Sequence, residues 1–483
     1  MGNVTRRAIL TGAVAVGGSL AVPTAARADF AGPHRLWHWV ETMAGFGPRF
    51  TGGPAHRRWI DYLERSLGSF GLRVQRFPTP LKYWDARSWS LTVTDARGQR
   101  HRIPVASYWP YSGSTPPRGI TAELVDVGTG TAGAVAGRIV VADRVVAKRT
   151  LGEFADLVVH AKPPSLLEDA RDEDYSRLWA GIPPAPDLRL AKERGAVGMI
   201  GVLDLAPEDA RGQFSPHQQP HAGLPAVQLD RDQGARLREL LARGPVTATL
   251  TLIADTDDAA SIDYLAAELP GNGRGPGTVL VLTHSDGQNG VEENGAAAVL
   301  AMARHFTRIP RSRRDRDLCF AFSPAHMAAP DAAVDPGEWL ERNPALRRRI
   351  AAVVVPEHLG TTQWDDSRGT GRWLPTGKPE LLTLGVGNDD RLTELVAREL
   401  DAGDLVRTTV AKPYNGTLYG EATGPYRLGI PSVTAISGPA YLLRVSPGAE
   451  LGRLDPALLH RQARFVTGLT AKLASAPWLG SPR

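Results

Sequence analysis

Hydrophobic residues follow different periods along the chain, and the changes between them divide it into three parts. Residues 32–70 carry the helical period, and the second of two helices expected there has Pro54 in its first turn. Residues 118–253 carry short apolar runs separated by glycine, as in short strands, the last of which is predicted at 246–253. From residue 262 onward, apolar strands alternate with amphipathic helices. This alternation predicts an α/β fold whose sheet is covered by helices on both faces.

The last part of the chain contains the strands and helices between which the candidate metal-binding and catalytic residues lie. Strands are predicted at 262–269, 278–283, 318–322, 351–355 and 432–436. Helices are predicted at 295–306, 337–350, 390–400 and 456–473. We therefore expect an α/β domain made of residues 29–117 and 254–483. Residues 118–253 are expected to form an inserted, β-rich domain that packs as a separate unit over its cleft.

The N-terminus predicts export. Arg6 and Arg7 precede an apolar run at 8–22, and Ala-Arg-Ala at 26–28 offers the small residues of a cleavage site. The apolar run is too short to span a bilayer, and no later stretch reaches 18 apolar residues. Residues 1–28 are therefore predicted to be a twin-arginine signal peptide of a secreted or cell-envelope protein. A general secretory signal is the alternative, and it also implies export.

The net charge limits the partners that the protein is expected to bind, and the cysteine content limits its thiol chemistry. The formal net charge is +5, and removal of the three arginines in residues 1–28 leaves +2. A net charge so close to zero does not indicate a basic surface that would bind a nucleic acid or a membrane, so neither is expected as a partner. The single cysteine, Cys319, cannot form an intramolecular disulfide, and its apolar surroundings predict a buried, unreactive thiol.

Polar residues follow three of the predicted strands, where ligands gather in sheets of this kind. They are His284, Asp286, Glu292, Glu293, His326, Glu357 and His358. Imidazoles and carboxylates that meet at one rim are the ligands of a zinc site. In extended backbone the side chains of His284 and Asp286 point the same way, so Asp286 is expected to orient that imidazole. Glu357 and His358 cannot both face one site from an extended strand, so one is expected to be structural.

The order and spacing of these motifs resemble the zinc aminopeptidase family, which includes aminopeptidase Y and glutamate carboxypeptidase-type enzymes. The resemblance rests on Gly-Pro-Arg-Phe-Thr-Gly-Gly at 47–53, His-Ser-Asp at 284–286 and Gly-Ile-Pro at 429–431. It implies a mixed-sheet, phosphorylase/hydrolase-like zinc-exopeptidase fold. Within residues 118–253, the segments 135–140, 192–198 and 224–227 resemble the protease-associated (PA) domain that several exported peptidases carry as an insertion.

The resemblance implies a divergent metal site. Family members hold two zinc ions, and His284 matches their first ligand. Glu293 stands where the bridging Asp belongs, and Glu357 stands where a later Asp belongs, with His358 beside it. No histidine occurs between residues 441 and 455, where the final ligand is expected. The implied cofactor is therefore one zinc ion or none.

The resemblance also places a histidine in the position of the general base. His326 and Met327 replace the family's Glu-Glu pair, so a base and a metal ligand are both substituted. One hypothesis is an exported metal-dependent hydrolase of peptides or small amides, in which His326 and Asp286 serve catalysis. Such a site is expected to show little or no cleavage of simple amino-acid amides, even if one zinc ion binds. The other is a catalytically inactive binding protein on the same scaffold, which the substitution by Met327 favours.

Overall fold

The computed structural model describes residues 30–129, 134–180, 187–217 and 219–480. Its strands, β1 to β17, are Arg73–Thr94, Arg100–Ile103, Ser107–Tyr108, Ile120–Asp126, Ile139–Arg144, Val158–Lys162, Gly198–Leu203, Ala226–Leu229, Thr247–Leu269, Thr278–His284, Asp317–Ser323, Ile350–Glu357, Thr362–Asp365, Leu374–Pro379, Leu382–Gly387, Thr408–Ala411 and Ser432–Ser437. Its α-helices, α1 to α12, are Pro33–Gly45, Pro54–Ser69, Leu166–Asp169, Leu188–Glu193, Pro207–Ala210, Arg231–Ala242, Gly295–Thr307, Pro336–Arg342, Pro344–Arg347, Asp390–Ala402, Thr423–Arg427 and Pro456–Ser475. The predicted signal peptide, residues 1–28, lies outside the described residues.

A large mixed sheet runs through the molecule. Its strand order is β3-β8-β7-β5-β4-β9-β11-β10-β12-β17-β15-β16-β6, and β1 pairs with β9 and β2. The central strands β11, β10, β12 and β17 are parallel, whereas β9 and β15 flank them antiparallel. The carboxyl ends of the four central strands therefore lie at one edge of the sheet. The predicted α/β fold with a mixed sheet is confirmed.

Helices cover both faces of the central strands, as their continuous apolar sequences require. On one face, α7 and α12 pack against β10 and β12. The side chain of Asp455 caps α12 by accepting hydrogen bonds from two main-chain N–H groups of the first turn. On the other face, Trp339 of α8 stacks on Tyr264 of β9 with ring centroids 4.8 Å apart. Both faces of β10 are thus sealed from water, and its carboxyl end becomes the place where polar groups collect.

Main-chain hydrogen bonds join the inserted span, residues 118–253, to strands outside it. β8 pairs with β3, β6 pairs with β16 at the far edge of the sheet, and the first part of β9 pairs with β1. The expected boundary between residues 253 and 254 lies inside β9, which continues without a break from Thr247 to Leu269. β1 pairs with β9 along almost its whole length, and this long ribbon carries the chain from one part of the sheet to the other. The two separate strands expected at 246–253 and 262–269 are corrected accordingly.

The helix expected over 337–350 is also corrected, because it is two short helices. Asn343 has φ −120° and ψ 63°, which ends α8, and Pro344 begins α9. Proline restricts the residue before it to non-helical backbone, so the break follows from the local sequence.

Cys319 is fully buried in β11, as predicted. Burial raises the pKa of its thiol to about 12, so the reactive thiolate is scarce at neutral pH. Among the described residues, no helix is long and apolar enough to cross a membrane.

Candidate metal centre

Three imidazoles and three carboxylates meet at the carboxyl edge of the central strands. His284 ends β10, Glu357 ends β12 and His358 follows it, while His326 lies in the loop after β11. Glu292 and Glu421 complete the cluster from the loop before α7 and from a short 3-10 turn at 420–422. All six residues are buried except His326, which is partly buried. Six ionisable side chains in so dry an environment must pair with one another or with a cation.

The imidazoles of His284 and His358 are oriented by main-chain carbonyl groups. Nδ1 of His284 donates to the carbonyl oxygen of Asp286 at 2.7 Å, and Nδ1 of His358 donates to that of Ser437 at 2.9 Å. Because a carbonyl oxygen only accepts, Nδ1 carries the proton in each ring. Nε2 of each ring is buried without a hydrogen-bond partner among the described residues. Burial also lowers the pKa of His284 well below its usual range, which leaves a neutral ring whose Nε2 lone pair faces the cluster.

Glu292, rather than its neighbour Glu293, lies beside these histidines. Oε2 of Glu292 is 3.5 Å from Nε2 of His358, and Oε1 is 3.5 Å from Nε2 of His326. Burial opposes the charge on Glu292, but His358 and the other histidines outweigh it and lower its pKa to about 2. Glu293, which the family resemblance assigns to the metal, instead forms a fully buried ion pair with Arg49. That arginine belongs to the Gly-Pro-Arg motif at 47–53.

Glu357 and His358 both face the cluster, contrary to the expectation that one of them is structural. The reason is that His358 has φ +51°, in the left-handed region that turns the chain sharply after β12. Its Nε2 lies 3.9 Å from Oε2 of Glu357. Gly420, at φ +58°, makes room for this carboxylate, because a Cβ atom there would lie 2.3 Å from Glu357 Oε2. Oε1 of Glu357 accepts a hydrogen bond from the main-chain N–H of Glu421 at 2.8 Å.

His326 and Glu421 form a hydrogen-bonded pair on the open side of the cluster. Nδ1 of His326 donates to Oε1 of Glu421 at 2.9 Å. Burial lowers the pKa of His326, but Glu421 and the other carboxylates outweigh it and raise the pKa to about 10. The ring of His326 stacks on that of His284 with centroids 4.3 Å apart. His326 is therefore held as an imidazolium between two acidic groups, with Nε2 directed towards Glu292.

Asp286 supports the cluster through a different contact from the one expected. Its carboxylate lies 3.8 Å from Nδ1 of His284, too far for a hydrogen bond, whereas its main-chain carbonyl holds that ring. The carboxylate instead accepts from the hydroxyl of Thr51 at 2.5 Å and from the main-chain N–H groups of His326 and Met327 at 3.0 and 2.8 Å. It thereby fixes the loop that carries His326, while the side chain of Met327 lies in the hydrophobic core.

Removal of this acceptor is expected to loosen the loop. Asp286→Ala leaves buried N–H donors without a partner, so the free energy of unfolding should fall by about 2–4 kcal/mol. Asp286→Asn retains one acceptor oxygen and should lose clearly less. Urea unfolding followed by fluorescence measures both variants against the wild-type protein. Equal stability of Asp286→Ala and the wild type would contradict the role given to this carboxylate.

Two overlapping groups of side chains have the geometry to hold a metal ion. Ligand atoms of His284, Glu292 and His358 lie within 4.8 Å of one another, and those of His284, His326 and Glu357 do so as well. In the first group the Nε2 atoms of both histidines and Oε2 of Glu292 are buried without a hydrogen-bond partner among the described residues. Two imidazole nitrogens and a carboxylate oxygen match the ligands of catalytic zinc sites. The residues present therefore fit the ion that the sequence resemblance implies.

Solved structures share this architecture over almost the whole chain. An aminopeptidase from Aneurinibacillus sp. strain AM-1 is 16% identical, with a TM-score of 0.63, and the match covers 95% of this chain and 97% of that one. A peptidase M28 precursor from Shewanella amazonensis SB2B is 16% identical, with a TM-score of 0.66 and coverage of 92% and 94%. BSAP, a zinc aminopeptidase from Bacillus subtilis, is 16% identical, with a TM-score of 0.62 and coverage of 91% and 94%. The chain has the zinc aminopeptidase fold.

The aminopeptidase fold predicted from the sequence motifs is thus confirmed, although no family model and no curated protein matches the sequence itself. Identity of 16% establishes the fold, and the chemistry has to be argued from the side chains of this chain.

The aminopeptidase fold opens a cleft of about 1250 Å³ beside the cluster. Its lining includes Tyr175, Arg177, Trp179 and His217 of the inserted span, together with His326 and Glu357 of the cluster. Along the chain His217 has no convergent partner, so nothing in the sequence marks it as a site residue. Only the path of the loop around it brings its ring to the cleft, with its centroid 6.1 Å from that of His326.

Proposed function

We propose that this chain is an exported, zinc-dependent hydrolase that cleaves a peptide or small amide in the cleft beside the cluster. The observation that carries the proposal is the convergence of three buried ligand atoms that lack hydrogen-bond partners, on His284, Glu292 and His358. A protein that only bound a ligand on this scaffold would gain nothing from polar atoms buried in this way, since each costs about 1–3 kcal/mol. Export rests on the twin-arginine pattern within residues 1–28.

The proposed zinc ligands are His284, Glu292 and His358, with Glu357 beside them. When bound, zinc polarises a carbonyl group and lowers the pKa of water. The main-chain carbonyls that accept from Nδ1 of each histidine fix the ring and its tautomer, so that Nε2 is presented without reorganisation. A three-ligand set also leaves a position open for the substrate, as catalytic sites require.

One ion, rather than the family's two, is the expected stoichiometry. Both groups of potential ligands include His284, and its Nδ1 is already engaged with a carbonyl oxygen. Its single remaining nitrogen cannot serve two ions at once. In the second group, His326 donates from Nδ1 to Glu421, and its acidic neighbours raise its pKa to about 10, so its Nε2 also carries a proton instead of a free lone pair. The first group is therefore the stronger candidate.

His326 and Glu421 are proposed to handle protons. Nδ1–H of His326 donates to Glu421, which leaves Nε2 as the atom that exchanges a proton with groups in the cleft. The acidic neighbours that raise the pKa of His326 keep that proton in place until a stronger base forms. The amide nitrogen becomes such a base while its C–N bond breaks, because it would otherwise leave as an anion, so His326 suits the role of proton donor to the leaving group.

Zinc-dependent cleavage tests the proposal. Purified protein loaded with one equivalent of zinc is incubated with a mixed peptide library, and new termini are identified by mass spectrometry. Cleavage that disappears with a chelator and returns with zinc is expected, and simple amino-acid amides should be cleaved slowly. If zinc binds but no peptide or amide is cleaved, the hydrolase assignment is wrong. A protein that cannot take up zinc at all would indicate the binding-protein alternative.

A further inference from the structure

A loop of the inserted span is fastened to the main body on both sides of His217. On one side, the main-chain N–H of Phe214 donates to the carbonyl of Leu443 at 2.8 Å, and its ring stacks on Phe50 with centroids 4.7 Å apart. On the other side, Asp331 accepts from the main-chain N–H and from Nδ1 of His221, at 3.2 and 3.3 Å. These contacts anchor the chain to the main body on both flanks of His217, which itself lines the cleft.

The His217 ring has the freedom to act on a ligand. It lines the cleft together with Glu292, His326 and Glu357, and no hydrogen bond joins it to another described residue. Burial in the cleft lowers its pKa to about 4, so at neutral pH the imidazole is uncharged and carries one N–H donor. His326 differs in that its Nδ1 is committed to Glu421 and its Nε2 faces Glu292.

We propose that His217 is a further catalytic residue of this site, which donates an N–H hydrogen bond to the carbonyl oxygen of the substrate amide. This inference rests on the proposed hydrolase function. Addition of water to the amide carbon forms a C–O bond and moves the carbonyl π electrons onto that oxygen. Collapse of the tetrahedral species breaks the C–N bond, the amine leaves with the proton of His326, and one proton of the added water restores the His326 imidazolium. His217 keeps its proton throughout, and its hydrogen bond strengthens as the oxygen becomes negative.

The geometry gives the inserted span a catalytic part in addition to its structural one. A hydrogen-bond donor that is fixed before the substrate binds does not have to reorient as negative charge develops on the oxygen. Such donors therefore stabilise the transition state more than the bound substrate. Because His217 lies in the inserted span and the metal ligands lie in the main sheet, the active site is complete only when the two are packed together.

Kinetics of three variants test the role. His217→Ala is expected to lower kcat about 100-fold or more, as loss of one such donor typically does, with zinc content and KM little changed. His217→Gln retains an N–H donor and should recover at least about tenfold of that loss. His160→Ala serves as the matched control, because His160 is a partly exposed histidine of the same span that pairs with Asp401. Unchanged kcat in His217→Ala overturns the proposal.

A binding measurement separates this inference from the hydrolase assignment. A phosphinic pseudodipeptide carries a tetrahedral anionic oxygen, whereas the matching ketomethylene compound lacks it. By calorimetry on the zinc-loaded protein, His217→Ala should weaken the phosphinic compound about tenfold or more, and it should weaken the ketomethylene compound, whose carbonyl oxygen is uncharged, clearly less. Equal effects on the two compounds, or none, overturn the role of His217. Selective weakening in a protein that cleaves no peptide would uphold the contact while refuting the hydrolase function.

Discussion

Replacement of His284 by alanine is expected to abolish zinc binding and, with it, all hydrolysis. His284 belongs to both groups of potential ligands, and its Nε2 is one of the buried atoms that lack a partner. Loss of one of three protein ligands should weaken zinc by well over about 100-fold, since even an outer partner of a ligand contributes 10–100-fold. The zinc content of protein dialysed against a zinc buffer, measured by elemental analysis, should fall from about one ion per chain in the wild type to nearly none in His284→Ala.

His38→Ala provides the control for this experiment, because His38 is an exposed histidine on α1. It should retain the wild-type zinc content. Circular dichroism should show that His284→Ala is folded, since the ring donates a single hydrogen bond to the described part of the chain. Full zinc content in folded His284→Ala would place the ion elsewhere and refute the proposed ligand set.

Substitution of the adjacent acids is expected to separate metal binding from stability. Glu293→Gln leaves the buried guanidinium of Arg49 without a counter-charge, so the free energy of unfolding should fall by about 3–5 kcal/mol. Burial lowers the pKa of Arg49 only to about 9, so that the group stays charged at neutral pH. Zinc content should be retained. Glu292→Gln should instead lose zinc, because it removes a charged ligand.

Urea unfolding of the metal-free proteins measures the free energy of unfolding, and elemental analysis measures the zinc content. The two variants are matched, because each is a Glu→Gln change and the positions are adjacent. Arg49→Met combined with Glu293→Leu removes both charges, and it should restore much of the stability that Glu293→Gln loses. If Glu293→Gln loses zinc and Glu292→Gln does not, the position aligned with the family's bridging Asp is the ligand after all.

Much of the fold could be predicted because hydrophobic period and strand-end chemistry are local properties. Apolar runs at 278–283, 318–322 and 351–355 correspond to β10, β11 and β12. The three strands are parallel neighbours, so the polar residues that follow them meet at one edge without any further information. The predictions that depended on continuity of the backbone were less successful. Pro344 divided one expected helix, and one strand replaced two across 247–269.

The orientation of individual side chains could not be predicted in the same way. Glu292 and Glu293 have the same chemistry and are adjacent, and the choice between them depends on Arg49, which is more than 240 positions away. Glu357 and His358 both reach the cluster because of a left-handed turn that the hydrophobic pattern does not reveal. The contribution of His217 depends on contacts of its loop with Phe50 and Asp331, which are remote in sequence.

The sequence by itself therefore determined the class of fold, the edge of the sheet where polar groups gather and the kinds of ligand found there. These follow from periods and strand ends, which a window of ten to twenty residues contains. The tertiary structure alone decided which carboxylate faces the histidines, which nitrogen of each imidazole is free, and that a loop of the inserted span reaches the cleft. These depend on main-chain carbonyls, buried ion pairs and turn angles, which form only when distant segments pack against one another.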